Sequence, residues 1–412
     1  MTRAKRSFGQ LVLHVLSSFG LVCVCLLCLF FLTIFGTLHQ IDHGLYDAKQ
    51  KFFNSWFLWT ELGGVNLPVF PGGVLTMSVL AMNLLVGGIL RIHWRSRSAG
   101  VIIIHFGITF LLIAGLVKMT RAVEGHLTLW EEDRLSTTTR ENRSDHFTSY
   151  TLWEIAIWEL DATERRTVAD GTELIIPNEH LVDLDEGARR TFSSSELPFD
   201  LTLQGFIRNC DVLPKGPRWE ATGEVIDGYG IRELPPEKES ERDIAGMHAE
   251  VSENGLVQRG ILYGAQRLPW VIEVAGRTFA IDMRHTRYPM PYEIRLEKFI
   301  KEDHPGISMA KAYRSEVTRI DQRGEERVLI QMNEPLREGG LVLFQSSWGP
   351  QTADSDGPFF SVFSVVNNPS DKWPEYSLWV ITLGLVFAFG RTLLRFLRKQ
   401  REEARGLTQN ES

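Results

Sequence analysis

The sequence predicts an integral membrane α-helical protein, with four transmembrane helices in a 3+1 order around one large extracytoplasmic all-β domain. Three observations carry this. The 412 residues have a formal net charge of −7 and an ordinary average composition, yet the apolar residues gather in four uncharged runs. Basic residues flank every run at one end. Between the third and fourth runs lie short segments rich in Val, Ile, Phe and Trp, separated by turn signals.

The runs are Phe8–Gly36, Leu62–Leu90, Gly100–Val117 and Tyr376–Gly390. A helix needs about 20 residues to cross a hydrocarbon core of about 30 Å. Helices are therefore expected over 8–36, 70–90, 99–118 and 375–395. The last is lengthened by Arg391 and Arg395, whose long stems can reach the interface. The domains follow as 1–118, 119–374 and 375–412. The first run has a basic start (Arg3, Lys5, Arg6), but it is too long for a signal peptide and no A-x-A-like site follows, so it is expected to be retained.

Charge sets the orientation. Arg91, Arg95 and Arg97 fill the short loop after the second run, and Arg391, Arg395, Arg398, Lys399 and Arg401 follow the fourth. Positive segments stay inside, so both termini are expected in the cytoplasm and the long middle segment outside. Trp373, Tyr376 and Trp379 then form an outer interfacial belt.

The middle segment reads as strands at Tyr150–Leu160, Gly171–Ile176, Leu197–Ile207, Val271–Met283, Pro291–Ile300, Arg327–Met332, Leu341–Ser347 and Phe359–Val366. Asp170-Gly171, Asp227-Gly228, Asn254-Gly255, Ala275-Gly276 and Arg323-Gly324 mark turns. Many short strands with recurring turns predict a sandwich or barrel. Leu197–Ile207 echoes Met290–Ile300 without a gap, as two related β units joined by the charged stretch 237–243 would do; chance likeness between two strands is the other reading. Cys23, Cys25 and Cys28 lie in the first helix and Cys210 stands alone outside, so the β domain is expected to hold without disulfides. No C-x-x-C-H occurs, so the chain is not itself a c-type cytochrome.

The third run holds His105. An imidazole in hydrocarbon is costly and marks a functional site by default; alternatively its ring N–H bonds a neighbouring helix and glues the bundle. His14 in the first helix and Asn83 in the second fall at a similar depth, about 9–10 Å from the inner boundary at about 1.5 Å per residue. Such a layer suits a small cofactor site or a hydrogen-bonded latch. Thr109 lies one turn beyond His105 on the same face. Gly107, Leu111 and Gly115 form a small-residue stripe suited to close helix contact or a flat ligand. The His14 ring is expected to be satisfied by Ser17 and Ser18. A neutral imidazole is a common axial ligand of haem iron, which makes His105 the leading candidate and His14 and Thr109 weak ones. His39, Asp42 and His43 are expected in a solvated outer loop.

Several segments resemble the ResB/CcsB family of cytochrome c biogenesis proteins of the system II pathway. Gly36-Thr37-Leu38-His39-Gln40 is similar to its G-T-x-x-Q, Ser55-Trp56-Phe57 to its S-W-F, and His105-Phe106-Gly107 to its H-x-G. Asn83-Leu84-Leu85 before Arg91, and Glu124 to Glu131 at the start of the outer domain, also resemble it. Asn333-Glu334-Pro335-Leu336 and Phe344-Gln345-Ser346-Ser347 resemble its N-x-P-L and Y/F-Q-S-S segments. The chain departs at His39, where the family has proline, and at Glu132, where glycine is common. The likeness is to an unfused B subunit, since nothing resembles the tryptophan-rich haem-handling segment of its partner, CcsA.

The resemblance implies a bacterial cytoplasmic (inner) membrane subunit of a cytochrome c synthase complex, not a self-sufficient enzyme. It would assist haem delivery and attachment to apocytochrome c, with His105 as one axial ligand of a transient haem b. The implied partners are a CcsA-like protein, apocytochrome c and a thioredoxin-like reductant; no nucleic acid is among them. A scaffold or chaperone without haem, and an anchored sensor whose β domain binds an outside ligand, are the other classes the residues leave open.

Overall fold

The computed structural model describes residues 8–62, 64–92, 98–132, 142–160, 173–185, 187–216, 224–253, 255–306, 310–350 and 358–410. Arg3, Lys5, Arg6, Arg95, Arg97, Asp170-Gly171 and Asn254, which entered the charge and turn readings, lie outside them. The chain divides into a helical unit, Met1–Ala122 with Asn368–Ser412, and a β unit, Val123–Asn367.

Among the described residues the helical unit has four helices long and apolar enough to cross a membrane: Phe19–Phe53, Gly73–Leu90, Ala99–Arg121 and Trp373–Glu402. The single helix expected over 8–36 is two, α1 (Phe8–Leu16) and α2 (Phe19–Ala48). Serine causes the break by competing for backbone partners. The Ser17 hydroxyl donates to the Leu13 carbonyl at 2.8 Å, and the Ser18 hydroxyl caps α2 by accepting from the Gly20 amide at 3.2 Å. α2 then runs well past Gly36 and kinks at Gly44, whose φ of 81° suits a residue without a Cβ.

The Leu62–Leu90 run is also divided. Its start belongs to a hairpin, β1 (Phe57–Leu62) and β2 (Val65–Pro71), which proline and glycine keep out of the helix. Then come α3 (Gly73–Asn83) and a π-helical stretch, Leu84–Leu90, closed by the Arg91 amide donating to the Val86 carbonyl at 3.0 Å. α4 (Ala99–Arg121) and α5 (Trp373–Asn410) complete the unit, α5 running well beyond the expected 395.

α4 and α5 pack through small residues, though not along the expected stripe. Leu111 is exposed and a Cβ on Gly115 would meet nothing within 4 Å. The contact follows Gly100, Gly107 and Ala114, a heptad spacing facing Gly384, Ser377 and Ser370. The Ser377 hydroxyl donates to the Gly107 carbonyl at 2.7 Å and Ser370 to the Ala114 carbonyl at 2.9 Å. An antiparallel pair crossing at a small angle keeps one seam only if small residues recur every seventh position, which the i, i+4, i+8 stripe does not.

The β unit is built on two long strands, β4 (Arg143–Leu160) and β13 (Arg277–Asp303), paired antiparallel along most of their length. The first half of β4 and the second half of β13 join β3 (Val123–Trp130), β14 (Ala310–Asp321), β15 (Gly324–Gln331), β16 (Leu336–Glu338), β17 (Leu341–Gly349) and β18 (Phe360–Asn367). The order β15-β14-β13-β4-β3-β18-β17-β16 curls into a nearly closed barrel-like sheet. Its core includes Leu129, Phe147, Ile294, Val317, Leu343 and Phe363. Ser315 and Ser361, both buried, share hydrogen bonds with Gln345, so β14 is tied to β17 and β18, strands that are not its neighbours in the sheet.

The other halves of β4 and β13 pair β5 (Leu174–Ile176) and β12 (Trp270–Val274). They pack with a four-stranded sheet of β6 (Arg189–Phe192), β7 (Asp200–Ile207), β10 (Gly246–Glu253) and β11 (Leu256–Tyr263) around a second core, and β8 (Cys210–Pro214) and β9 (Tyr229–Glu233) form a separate antiparallel pair. The two echo segments fall one in each core and bury matching positions: Phe199, Leu201 and Leu203 against Tyr292, Ile294 and Leu296. The stretch 237–243 does not separate the cores, which β4 and β13 join. Instead Asp243 is buried and accepts from Arg208 at 2.7 Å. Cys210 is a free, buried thiol pushed up to about 12 by burial.

Candidate functional site

His105 sits in the second turn of α4 and turns to the π-helical stretch after α3. Its Nδ1 lies 2.8 Å from the Val101 carbonyl, one turn back on its own helix. A carbonyl only accepts, so Nδ1 is the donor here, and Nε2 is the ring nitrogen outside this contact. The ring packs on Gly88: a Cβ there would stand 2.6 Å from His105 Cδ2 and 3.3 Å from Nε2. The place of the imidazole thus depends on a missing side chain in a widened turn, a geometry often found at functional positions. Sequence reading did not single out Gly88, because a glycine in an apolar run has no signal of its own.

The adjacent Gly87 approaches the break in the first helix, with a Cβ there falling 3.2 Å from Ser17 Cα. Asn83, buried in α3, spans that break: its amide donates to the Leu16 carbonyl at 2.6 Å and the Ser18 carbonyl at 3.0 Å. The Leu16 carbonyl, at the end of α1, would be orphaned by the interruption, whereas the Ser18 carbonyl also accepts from the Leu21 amide at 3.2 Å. The Arg91 guanidinium donates to the Ser17 hydroxyl and, at 3.4 Å, to the Leu13 carbonyl. Of the expected layer of His14, Asn83 and His105, Asn83 is therefore a hydrogen-bonded latch to the break in the first membrane helix, while His105 faces Gly88. His14 is exposed and offers its backbone carbonyl to Ser17 at 3.3 Å; the expected serine partners of its ring are engaged elsewhere. Thr109 donates to the His105 carbonyl at 2.9 Å, so its hydroxyl serves the helix rather than the ring.

His39 and His43 are helical, not in a loop, with rings stacked 3.9 Å apart. Among the described residues no group of three or more His, Cys, Asp or Glu side chains gathers as a metal site. A second histidine cluster, missed from sequence, lies in the β unit. His285 stacks on Trp153 at 3.9 Å, His126 lies over Tyr150 at 5.2 Å, and the two imidazoles are 6.3 Å apart edge to face. Burial pushes both below the ordinary histidine value, His285 to about 4, so both rings are neutral near pH 7. The Thr148 hydroxyl stands 3.2 Å from His126 Nε2, while the Nδ1 of each ring is buried without a hydrogen-bond partner among the described residues. His126 belongs to the Glu124–Glu131 segment, but nothing in its neighbours announces His285.

Together these features define a polytopic membrane protein that carries a folded β unit and holds a histidine within its helical unit. Residues 255–389 match the model of the ResB-like family, in agreement with the resemblance drawn from the motifs. The matched stretch runs from β11 into α5 and takes in Asn333–Leu336 and Phe344–Ser347. It points to cytochrome c biogenesis as the general role. No curated protein matches the chain.

Proposed function

We propose that this chain is the membrane subunit of a system II cytochrome c synthase complex and binds haem b in transit through His105. The observation that carries the reading is the His105 ring itself. Its Nδ1 is engaged within its own helix, and among the described residues the ring makes no hydrogen bond to another helix. That favours a ligand over helix glue. Nε2 would then be the nitrogen offered to haem iron.

In this reading the Val101 carbonyl fixes the tautomer and raises the basicity of the ring, as outer-shell acceptors do for ligating histidines. Gly88 leaves room for the ring, and the Asn83 latch holds the helix that bears Gly88. When bound, haem would supply the vinyl groups for its attachment to apocytochrome c, and a CcsA-like partner would supply a further ligand. Both termini lie in the cytoplasm, with the β unit on the extracytoplasmic face of the bacterial inner membrane, where it meets apocytochrome c and a thioredoxin-like reductant. The basic end of α5 supports that orientation.

The test is His105→Ala in the complex with its partner. Haem absorbance and maturation of c-type cytochromes should both be lost, and added imidazole should partly restore the absorbance by filling the vacated position. Wild-type haem content and maturation in the variant would leave His105 a packing residue.

A further inference from the structure

We propose that the β1–β2 hairpin is a lipid-facing anchor seated in the interface of the bilayer, at the end of the helical unit where α2 hands over to α3. The proposal is independent of any role for His105. Two helix lengths place the hairpin. Gly73–Leu90 contains 18 residues, about 27 Å at about 1.5 Å per residue and no more than the hydrocarbon thickness. The residue before it, where the hairpin ends, is therefore at the membrane surface. From the other side, α2 overshoots its apolar run, turns at Gly44 and brings the chain back: a Cβ on Gly36 would lie 3.0 Å from the Phe53 ring. Gly36 ends the uncharged run that crosses the membrane, so the strand that starts after Phe53 has returned to the same boundary.

The base of the hairpin is fixed there. The Gly72 amide donates to the Trp56 carbonyl at 2.8 Å and the Val74 amide to the Ser55 carbonyl at 3.2 Å. A Cβ on Gly73 would fall 2.5 Å from the Phe53 carbonyl oxygen.

Composition and exposure identify what covers it. Residues 56–71 carry one charge, Glu61 near the tip, and otherwise hold Trp56, Phe57, Leu58, Trp59, Leu67, Val69 and Phe70 among their apolar residues. Trp56 is 58 % exposed, Trp59 57 %, Val65 57 % and Val69 64 %. An isolated two-stranded hairpin is marginal in water, and leaving these side chains in water would cost about 25 cal/mol per Å2. Tryptophan at the ends of membrane helices is the residue that interfaces recruit. The exposed apolar surface is also continuous with that of the neighbouring helix, where Ile41, Leu45 and Phe53 are exposed in their turn. Lipid is the occupant that meets all of these surfaces at once.

Spin labelling of the full chain in vesicles of phosphatidylcholine and phosphatidylglycerol tests this. Cys23, Cys25 and Cys28 are replaced by alanine; Cys210 is buried and stays unlabelled. Labels are placed at Val69→Cys, at Leu383→Cys on α5 and at Val257→Cys on β11. The readout is the ratio of collisions with oxygen, which partitions into lipid, to collisions with a water-soluble nickel chelate. Val69 should favour oxygen, as Leu383 does, with a sign opposite to Val257. A Val69 label that favours nickel would overturn the proposal, and so would one shielded from both reagents, which would mean a protein surface covers the hairpin. A second measurement uses no cysteine. Quenching by brominated phospholipids is compared for the wild-type chain and Trp59→Phe; the difference, which is Trp59 emission, should be quenched. An unquenched difference signal places Trp59 out of lipid.

Discussion

Gly88→Ala adds one methyl group where the His105 ring already touches the backbone. Carbon atoms pack at about 3.5–4.0 Å, but the new Cβ would stand 2.6 Å from His105 Cδ2 and 3.0 Å from Cγ. The ring or the helices must give by about 1 Å. Overpacking of this kind costs about 1–3 kcal/mol. If that cost falls on the ligating position, haem affinity should drop about 5- to 140-fold at about 1.4 kcal/mol per factor of ten. The assay is titration of haem into the chain in nanodiscs, followed by its absorbance band. Two further glycines give a graded comparison. Gly87→Ala meets Ser17 Cα at 3.2 Å and should act more weakly, because it presses on the helix break and not on the ring. Gly115→Ala meets nothing within 4 Å and should bind as wild type. Wild-type affinity in Gly88→Ala, or an equal loss in Gly115→Ala, would refute the argument that Gly88 places the ring.

Three other outcomes are expected. Stability of the β unit should fall as pH drops from about 6.5 towards 4, because the unfolded chain takes up protons that buried His285 and His126 refuse; His285 contributes up to about 3 kcal/mol, and His285→Phe should flatten the pH profile of thermal unfolding. Cys210, with its thiol pushed up to about 12, should resist maleimide at pH 8 in the folded chain and react once denatured, and reductant should leave the circular dichroism of the β unit unchanged. Gln345→Leu should destabilise the β unit by about 1–3 kcal/mol in denaturant unfolding, since it strips partners from the buried Ser315 and Ser361 hydroxyls.

The presence of membrane helices and of a β unit was legible in the sequence because both rest on local pattern: long uncharged runs for one, short alternating segments with turn dipeptides for the other. His105 and Asn83 stood out for the same reason, as polar residues in apolar runs. What the sequence did not disclose depends on partners distant along the chain. The π-helical turn that brings Gly88 under His105, the Asn83 amide bridging the break at Ser17 and Ser18, and the heptad seam of Gly100, Gly107 and Ala114 are each set by how one helix lies on another. A glycine has no side chain to mark it, so its role appears only when the atom that would fill its place is known. The return of the chain from Gly44 to Gly36 is of the same kind: composition shows an apolar stretch from Leu62 onward, and only the folded backbone makes its first part a hairpin. Hydrophobic pattern fixed which segments leave water; tertiary contacts decided which of their atoms meet.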